Sequence, residues 1–299
     1  MTEVRNIILR KFRTPAQIFL LLVCSSTLLL VSSCKDLTDV IEVPGFSVPS
    51  LGVPTFTPTT LDTHTLPGGT GDPTDNVLVT IAIQVKAFDS VGISGVTASV
   101  SSPGWTQTNE PSTTLVNLSL NDDGASPDSK AHDSIYSGTA TFEIFRYQVG
   151  TYNIQVKAVN TLGTPVTRIA SVTLTNSANH APHIDATKAT KDTLTLGTVT
   201  VVDTLTAKIS DVESLRDILS VTTRATKPDG TLAGVTVSLY DDGDGAHADA
   251  AKGDGIYSAG IVLDPNAVPP PQKGTYVFKF IATDKSGATA TDSTKITVQ

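Results

Sequence analysis

The residues best placed to do chemistry lie between Leu239 and Gly260, LYDDGDGAHADAAKGDGIYSAG. Asp241, Asp242, Asp244, Asp249 and Asp254 crowd a glycine-rich span between two strand-like runs, with Asp264 just beyond. Clustered carboxylates on a loop whose glycines let backbone carbonyls turn inward suit a hard, oxygen-seeking cation. Ca²⁺ takes about six to eight oxygens at about 2.3–2.6 Å. The reading therefore assigns Asp242, Asp244, Asp249 and Asp254 as calcium ligands, with Asp241 as a fifth. The competing reading is turn chemistry: Asp accepts from nearby backbone amides and Gly supplies positive φ. The spacing is not that of an EF-hand, which needs D-x-D-x-D-G and a Glu at position 12.

A shorter copy occupies Leu120 to Gly138, LNDDGASPDSKAHDSIYSG. Asp122 and Asp123 align with Asp241 and Asp242, Gly124 with Gly243, Asp128 with Asp249, and Asp133 with Asp254. Here Asp123, Asp128 and Asp133 are the candidate ligands. His132 and Ser134 stand where the longer copy has Gly253 and Gly255, and Asp244 has no counterpart, so this loop is expected to bind more weakly or not at all. His132, His247, His180 and His183 read as solvated loop histidines, since a zinc site needs tighter ligand geometry. Trp105, the only tryptophan, reads as packing, with a sugar or partner contact as the alternative.

The elements that hold these loops are strands. Val77, Val79, Ile81, Ile83 and Val85 alternate with other residues, as do Val116, Leu118 and Leu120, and Tyr152, Ile154, Val156 and Ala158. The order repeats at Val199–Ile209, Val235–Leu239, Tyr257–Leu263 and Tyr276–Ala282, with Asp89/Asp211, Asp122/Asp241 and Gly150/Gly274 as matched pairs. Residues 210–218 read as a loop. Of 29 acidic residues only Glu3, Glu42, Glu110, Glu143 and Glu213 are glutamate, and Asp serves turns where Glu builds helices. About seven short strands per unit, with turn signals between them, predict two tandem immunoglobulin-like β-sandwiches in an all-β chain. The expected boundaries are 76–178 and 179–299, joined at SANHAPHI.

The start of the chain differs in kind. Arg5, Arg10, Lys11 and Arg13 precede the apolar run at 18–31 and then Val31-Ser32-Ser33-Cys34. That reads as a secretory signal over residues 1–33, with an uncleaved membrane anchor or an ordinary signal peptide as the alternatives. Its ending resembles a bacterial lipobox, which implies lipidation of Cys34 and a membrane as partner. Cys24 would leave with the signal, so no thiol pair remains for a disulfide. Lys35-Asp36 resembles a surface-export signal of Bacteroidetes-like lipoproteins. Residues 34–75, rich in Pro and without apolar periodicity, read as a disordered tether.

Without its basic start the chain is more acidic still than the overall −8, which disfavours nucleic acid. No Gly-x-Ser-x-Gly or His-Glu-x-x-His motif is present, and the expectation is no enzyme. The repeated unit, ending a strand in Leu-Tyr-Asp-Asp-Gly and resuming at Gly-Asp-Gly-Ile-Tyr-Ser, resembles bacterial extracellular Ig-like domains of a fibronectin- or cadherin-like kind, including those described as "choice-of-anchor X". The resemblance implies an exported location, and with the lipobox-like Cys34 and Lys35-Asp36 the expectation is an outer-membrane lipoprotein, periplasmic or cell-surface facing. Its role would be structural or adhesive. The alternative is an accessory glycan- or protein-binding subunit.

Overall fold

The computed structural model describes residues 47–105 and 110–299, and Ser47–Gln299 forms one compact unit. The signal segment, Cys34 and the first part of the tether lie outside the described residues.

The first sandwich contains β1 (Ser50–Leu51), β2 (Thr55–Thr57), β3 (Thr60–Asp62), β4 (Asn76–Phe88), β5 (Ile93–Ser101), β6 (Thr114–Leu120), β7 (Ile135–Phe145), β8 (Gly150–Asn160) and β9 (Pro165–Thr175). One sheet joins β1 and β2 to β4, and β4 to β7; the other runs β3-β9-β8-β5-β6. The second sandwich contains β10 (His183–Ala189), β11 (Thr193–Leu194), β12 (Val201–Ser210), β13 (Ile218–Thr226), β14 (Val237–Leu239), β15 (Ile256–Leu263), β16 (Gly274–Asp284) and β17 (Thr289–Val298). Its sheets run β10-β12-β15 and β11-β17-β16-β13-β14. The two orders correspond, with β1 and β2 together standing where β10 lies, down to the parallel pairing of β3 with β9 and of β11 with β17.

Alternation does what half-buried strands require. On β4, Val77, Val79, Ile81, Ile83 and Val85 point into the first core, where they meet Tyr152, Ile154 and Val156 of β8. In the second core Leu205, Ala207 and Ile209 of β12 pack with Phe280 and Ala282 of β16. The cores part between Leu174 and Ala189. Val199 and Val235, expected in strands, lie just outside them and are each 70% exposed.

The tether needs correction. Residues 47–75 do not hang free before the first sandwich, which includes β1 at Ser50–Leu51 and a Ser47–Asp89 hydrogen bond well ahead of Asn76. Leu51 pairs with Ala87, Phe56 with Ile83, and Leu61 runs parallel to Leu174. Proline hid this first strand. It removes amide donors and interrupts the apolar alternation; Pro49, Pro54 and Pro58 fall just before or between the three short strands rather than within them.

The predicted loop at 210–218 is largely a loop, closed by a single 3-10 turn at Leu215–Asp217 in which the Arg216 amide donates to the Ser214 side chain.

Candidate cation loops

Each acidic loop leaves one sheet and returns in the other, between β6 and β7 or between β14 and β15. Each is pinned at its neck by a two-bond bridge: Asn121 with Ser137, and Tyr240 with Ser258. Within the loops the aligned carboxylates accept from corresponding amides, with small differences in number. Asp122 accepts from the amides of Asp133 and Ser134, at 3.1 and 2.9 Å. Asp241 accepts from Gly253, Asp254 and Gly255, at 2.6, 3.2 and 2.9 Å. Asp128 accepts from Gly124 and Asp249 from Gly243. Asp133 and Asp254 accept from the amides of Ile135 and Ile256.

The result is two equivalent trios. Asp122, Asp128 and Asp133, and likewise Asp241, Asp249 and Asp254, each bring a carboxylate oxygen within 4.8 Å of the others. Asp128 and Asp249 are buried. Burial pushes the Asp241 carboxyl up, against three backbone amides that pull it down. The amide of Gly124 holds Asp128 low.

Three other predicted residues stand outside the trios. Asp123 and Asp242 turn back to the amides two residues on, Ala125 and Asp244. Asp244 caps the 3-10 turn Gly245–His247 by accepting from Ala246 at 2.9 Å. Asp242 also meets His247 Nδ1 at 2.7 Å, and the imidazole stacks on Tyr240 with ring centroids 4.0 Å apart. Sequence reasoning left out Asp122, although its alignment with Asp241 was the available signal.

The backbone explains the glycines. Gly253 and Gly255 adopt φ of 77° and 80°, and the first loop keeps that conformation at His132 and Ser134, with φ of 62° and 69°. The amide of Ile209 bonds to the Gly255 carbonyl just as Ala87 bonds to that of Ser134. A side chain in this region costs about 1–2 kcal/mol. Ser134→Gly should therefore stabilise the first sandwich by about 1 kcal/mol, read by denaturant unfolding. The reverse change, Gly255→Ala, should cost about 2–3 kcal/mol, because its Cβ would sit 2.8 Å from the Ile209 carbonyl oxygen. Equal stability in all three proteins would remove the conformational argument.

Trp105 is 6% exposed, with the Lys285 ammonium 4.3 Å from its ring centroid. It is part of the junction between the sandwiches, as the packing reading expected. A further acidic group escaped the sequence reading. Asp211, Asp217 and Asp284 converge from separate elements, and no local spacing announces them.

Fold and loops together define a tandem immunoglobulin-like β-sandwich protein with an acidic loop in each unit. No protein-family model matches this chain, and no curated protein does. Among solved structures it is similar to the tetra-tandem repeat in the extending region of a large adhesion protein, at 14% identity and a TM-score of 0.37, covering 85% of this chain and 50% of that one. It is similar to the Yersinia pseudotuberculosis adhesin InvE, at 14% identity and a TM-score of 0.35, covering 83% and 58%. It is also similar to the fibronectin(III)-like modules of Clostridium thermocellum CbhA, at 16% identity and a TM-score of 0.26, covering 83% and 94%. The chain thus spans little more than half of the two adhesion chains. These likenesses concern strand arrangement and carry no activity across.

Proposed function

We propose that this chain is a non-enzymatic, exported module. Lipid on Cys34 holds it to the outer membrane, and two immunoglobulin-like sandwiches extend from there as a structural or adhesive unit. Calcium on the acidic loops is part of the reading, with the trio of Asp241, Asp249 and Asp254 as the stronger site and Asp122, Asp128 and Asp133 as the weaker.

The observation that carries the reading is the junction. Lys285, on the turn after β16, reaches across to the first sandwich and bonds Glu110 Oε2 at 2.7 Å while also donating to the Arg216 carbonyl at 2.6 Å. Its ammonium lies over Trp105 and, at 5.2 Å, over Tyr147. A cation desolvated between two domains fixes their orientation, since releasing it must leave charges unpaired. A spacer or adhesive stalk needs that stiffness.

The anchor is tested by expressing Cys34→Ser beside the natural chain with a radiolabelled fatty acid. The natural chain should take up label and sediment with membranes; the variant should do neither. Equal labelling and sedimentation of both would end the lipoprotein reading.

A further inference from the structure

The junction end of the second sandwich holds a group of acids that its own hydrogen bonds do not satisfy. Asp211 follows β12, Asp217 closes the 3-10 turn, and Asp284 ends β16; an oxygen of each lies within 4.8 Å of the other two. Glu213 and Asp217 are each 0% exposed. Four buried oxygens here receive no hydrogen bond: Asp211 Oδ2, Glu213 Oε2, Asp217 Oδ2 and Asn179 Oδ1. All four are acceptors that no protein donor meets.

The nearby cations are engaged elsewhere. His180 Nδ1 pairs with the other Glu213 oxygen, Oε1, at 2.8 Å. The Lys285 ammonium is held by Glu110 and the Arg216 carbonyl. Burial, reinforced by neighbouring carboxylates, holds the Asp217 and Asp211 carboxyls above the usual carboxylate range. Carboxylates so confined need positive charge among them or must give up their own.

The first sandwich shows how the same place looks when it is satisfied. Ile93 pairs with Asn160 as Ile218 pairs with Asp284. Asn160 bonds its amide to the Thr164 carbonyl as Asp284 does to that of Ala288, each at 3.1 Å. Asn160 is thus the counterpart of Asp284, and Asp89 that of Asp211. There the Asn160 amide donates to Asp89 Oδ2 at 3.1 Å, and Ser47 donates to Oδ1 at 2.5 Å. In the second sandwich a carboxylate replaces that amide, and the Asn179 side-chain amide donates to Asp284 Oδ2 at 2.7 Å. The longer loop after Asp211 then adds Glu213 and Asp217.

We propose that Asp211, Asp217 and Asp284 form a divalent-cation site of the calcium class, with Glu213 Oε2 and Asn179 Oδ1 as further ligands. An all-oxygen set drawn from several segments suits the size and flexible coordination of Ca²⁺. The site is separate from the acidic loops: Asp284 accepts from Asn179 Nδ2 at 2.7 Å and from the Ala288 amide at 2.8 Å, and Asp211 from the Glu213 amide at 2.9 Å, yet one buried oxygen each of Asp211, Glu213 and Asp217 stays without a donor. Asn179 belongs to the linker, and the Asp217 carbonyl accepts from the Lys285 amide, at 2.9 Å, next to the contact with the first sandwich. The ion would therefore tie linker, turn and junction together.

The test uses the full chain with both loops disabled by Asp128→Asn and Asp249→Asn, titrated with CaCl₂ by calorimetry and melted in EDTA and in millimolar Ca²⁺. This protein should still bind one ion and gain about 5 °C or more in melting temperature. Adding Asp217→Asn should weaken binding at least ~100-fold, as expected for loss of a charged ligand, and abolish the gain. Absence of calcium binding in the loop-disabled protein would overturn the junction site, as would binding that survives Asp217→Asn. Should the multiple variant fail to fold, Asp284→Asn alone decides. Carrying the amide the first sandwich uses, it should melt higher than the natural chain in EDTA and bind one ion fewer. An unchanged ion count would overturn the proposal.

Discussion

A fragment that starts at Asn76 should fail to hold its first sandwich, whereas one that starts at Ser47 should fold. Removing residues 47–75 deletes β1, β2 and β3. It uncovers the pockets filled by Leu51, 4% exposed, and Leu61, 9% exposed. Each buried leucine is worth about 1.5–3 kcal/mol. It also strips Arg146, which is 6% exposed. That guanidinium donates to the carbonyls of Thr63, His64 and Gly68 at 2.6, 3.0 and 3.0 Å, while Thr63 Oγ1 donates to the Arg146 carbonyl at 2.8 Å. A buried guanidinium left without acceptors adds several kcal/mol more. The expected loss, above about 5 kcal/mol, is comparable with the whole stability of an ordinary domain. Circular dichroism melts of the two fragments decide it: superimposable curves would mean the N-terminal strands contribute nothing.

Replacing Lys285 by methionine should uncouple the two sandwiches. Methionine keeps most of the volume of a side chain that is fully buried, but leaves Glu110 and the Arg216 carbonyl without their donor. Burial already pulls the Lys285 pKa down, with Glu110 opposing it, so the ammonium depends on its partner. Breaking a buried pair from one side costs about 3–5 kcal/mol, and since the Glu110 side chain is 27% exposed the lower end applies. Trp105 reports the event directly, being the only tryptophan and 6% exposed. Its emission should shift to the red at a denaturant concentration where the natural chain is unchanged. Glu110→Gln should reproduce part of the effect, and the double variant should cost less than the two single changes added together. Strict additivity would show that the pair does not couple the domains.

Much of this architecture is written in local order. The alternation at 77–85, 116–120 and 152–158 places β4, β6 and β8, because a half-buried strand can bury one face only if every second residue is apolar. The match between 120–138 and 239–260 foretells that the two loops are the same device, and the structure brings Asp128 with Asp133, and Asp249 with Asp254, into equivalent trios. The separation of Asp123, Asp242 and Asp244 from those trios was not legible. Asp133 and Asp254 accept from the amide two residues on just as Asp123 and Asp242 do, so local spacing does not encode which of them also meets the other carboxylates; that depends on how the whole loop closes.

The sequence by itself determined the strand periodicity, the repeat, the acidic surface and the composition of each loop, since these follow from the order of residues along short segments. Tertiary structure alone decided three things. It recruited residues 47–62 as strands despite their prolines, because an edge ladder offered partners that no local pattern reveals. It held His132 and Ser134 at positive φ, because the loop's bonds to Asp122 outweigh the local cost. It gathered Asp211, Asp217 and Asp284 beneath the junction, where strand ends some 70 residues apart in sequence meet only after both sheets have formed.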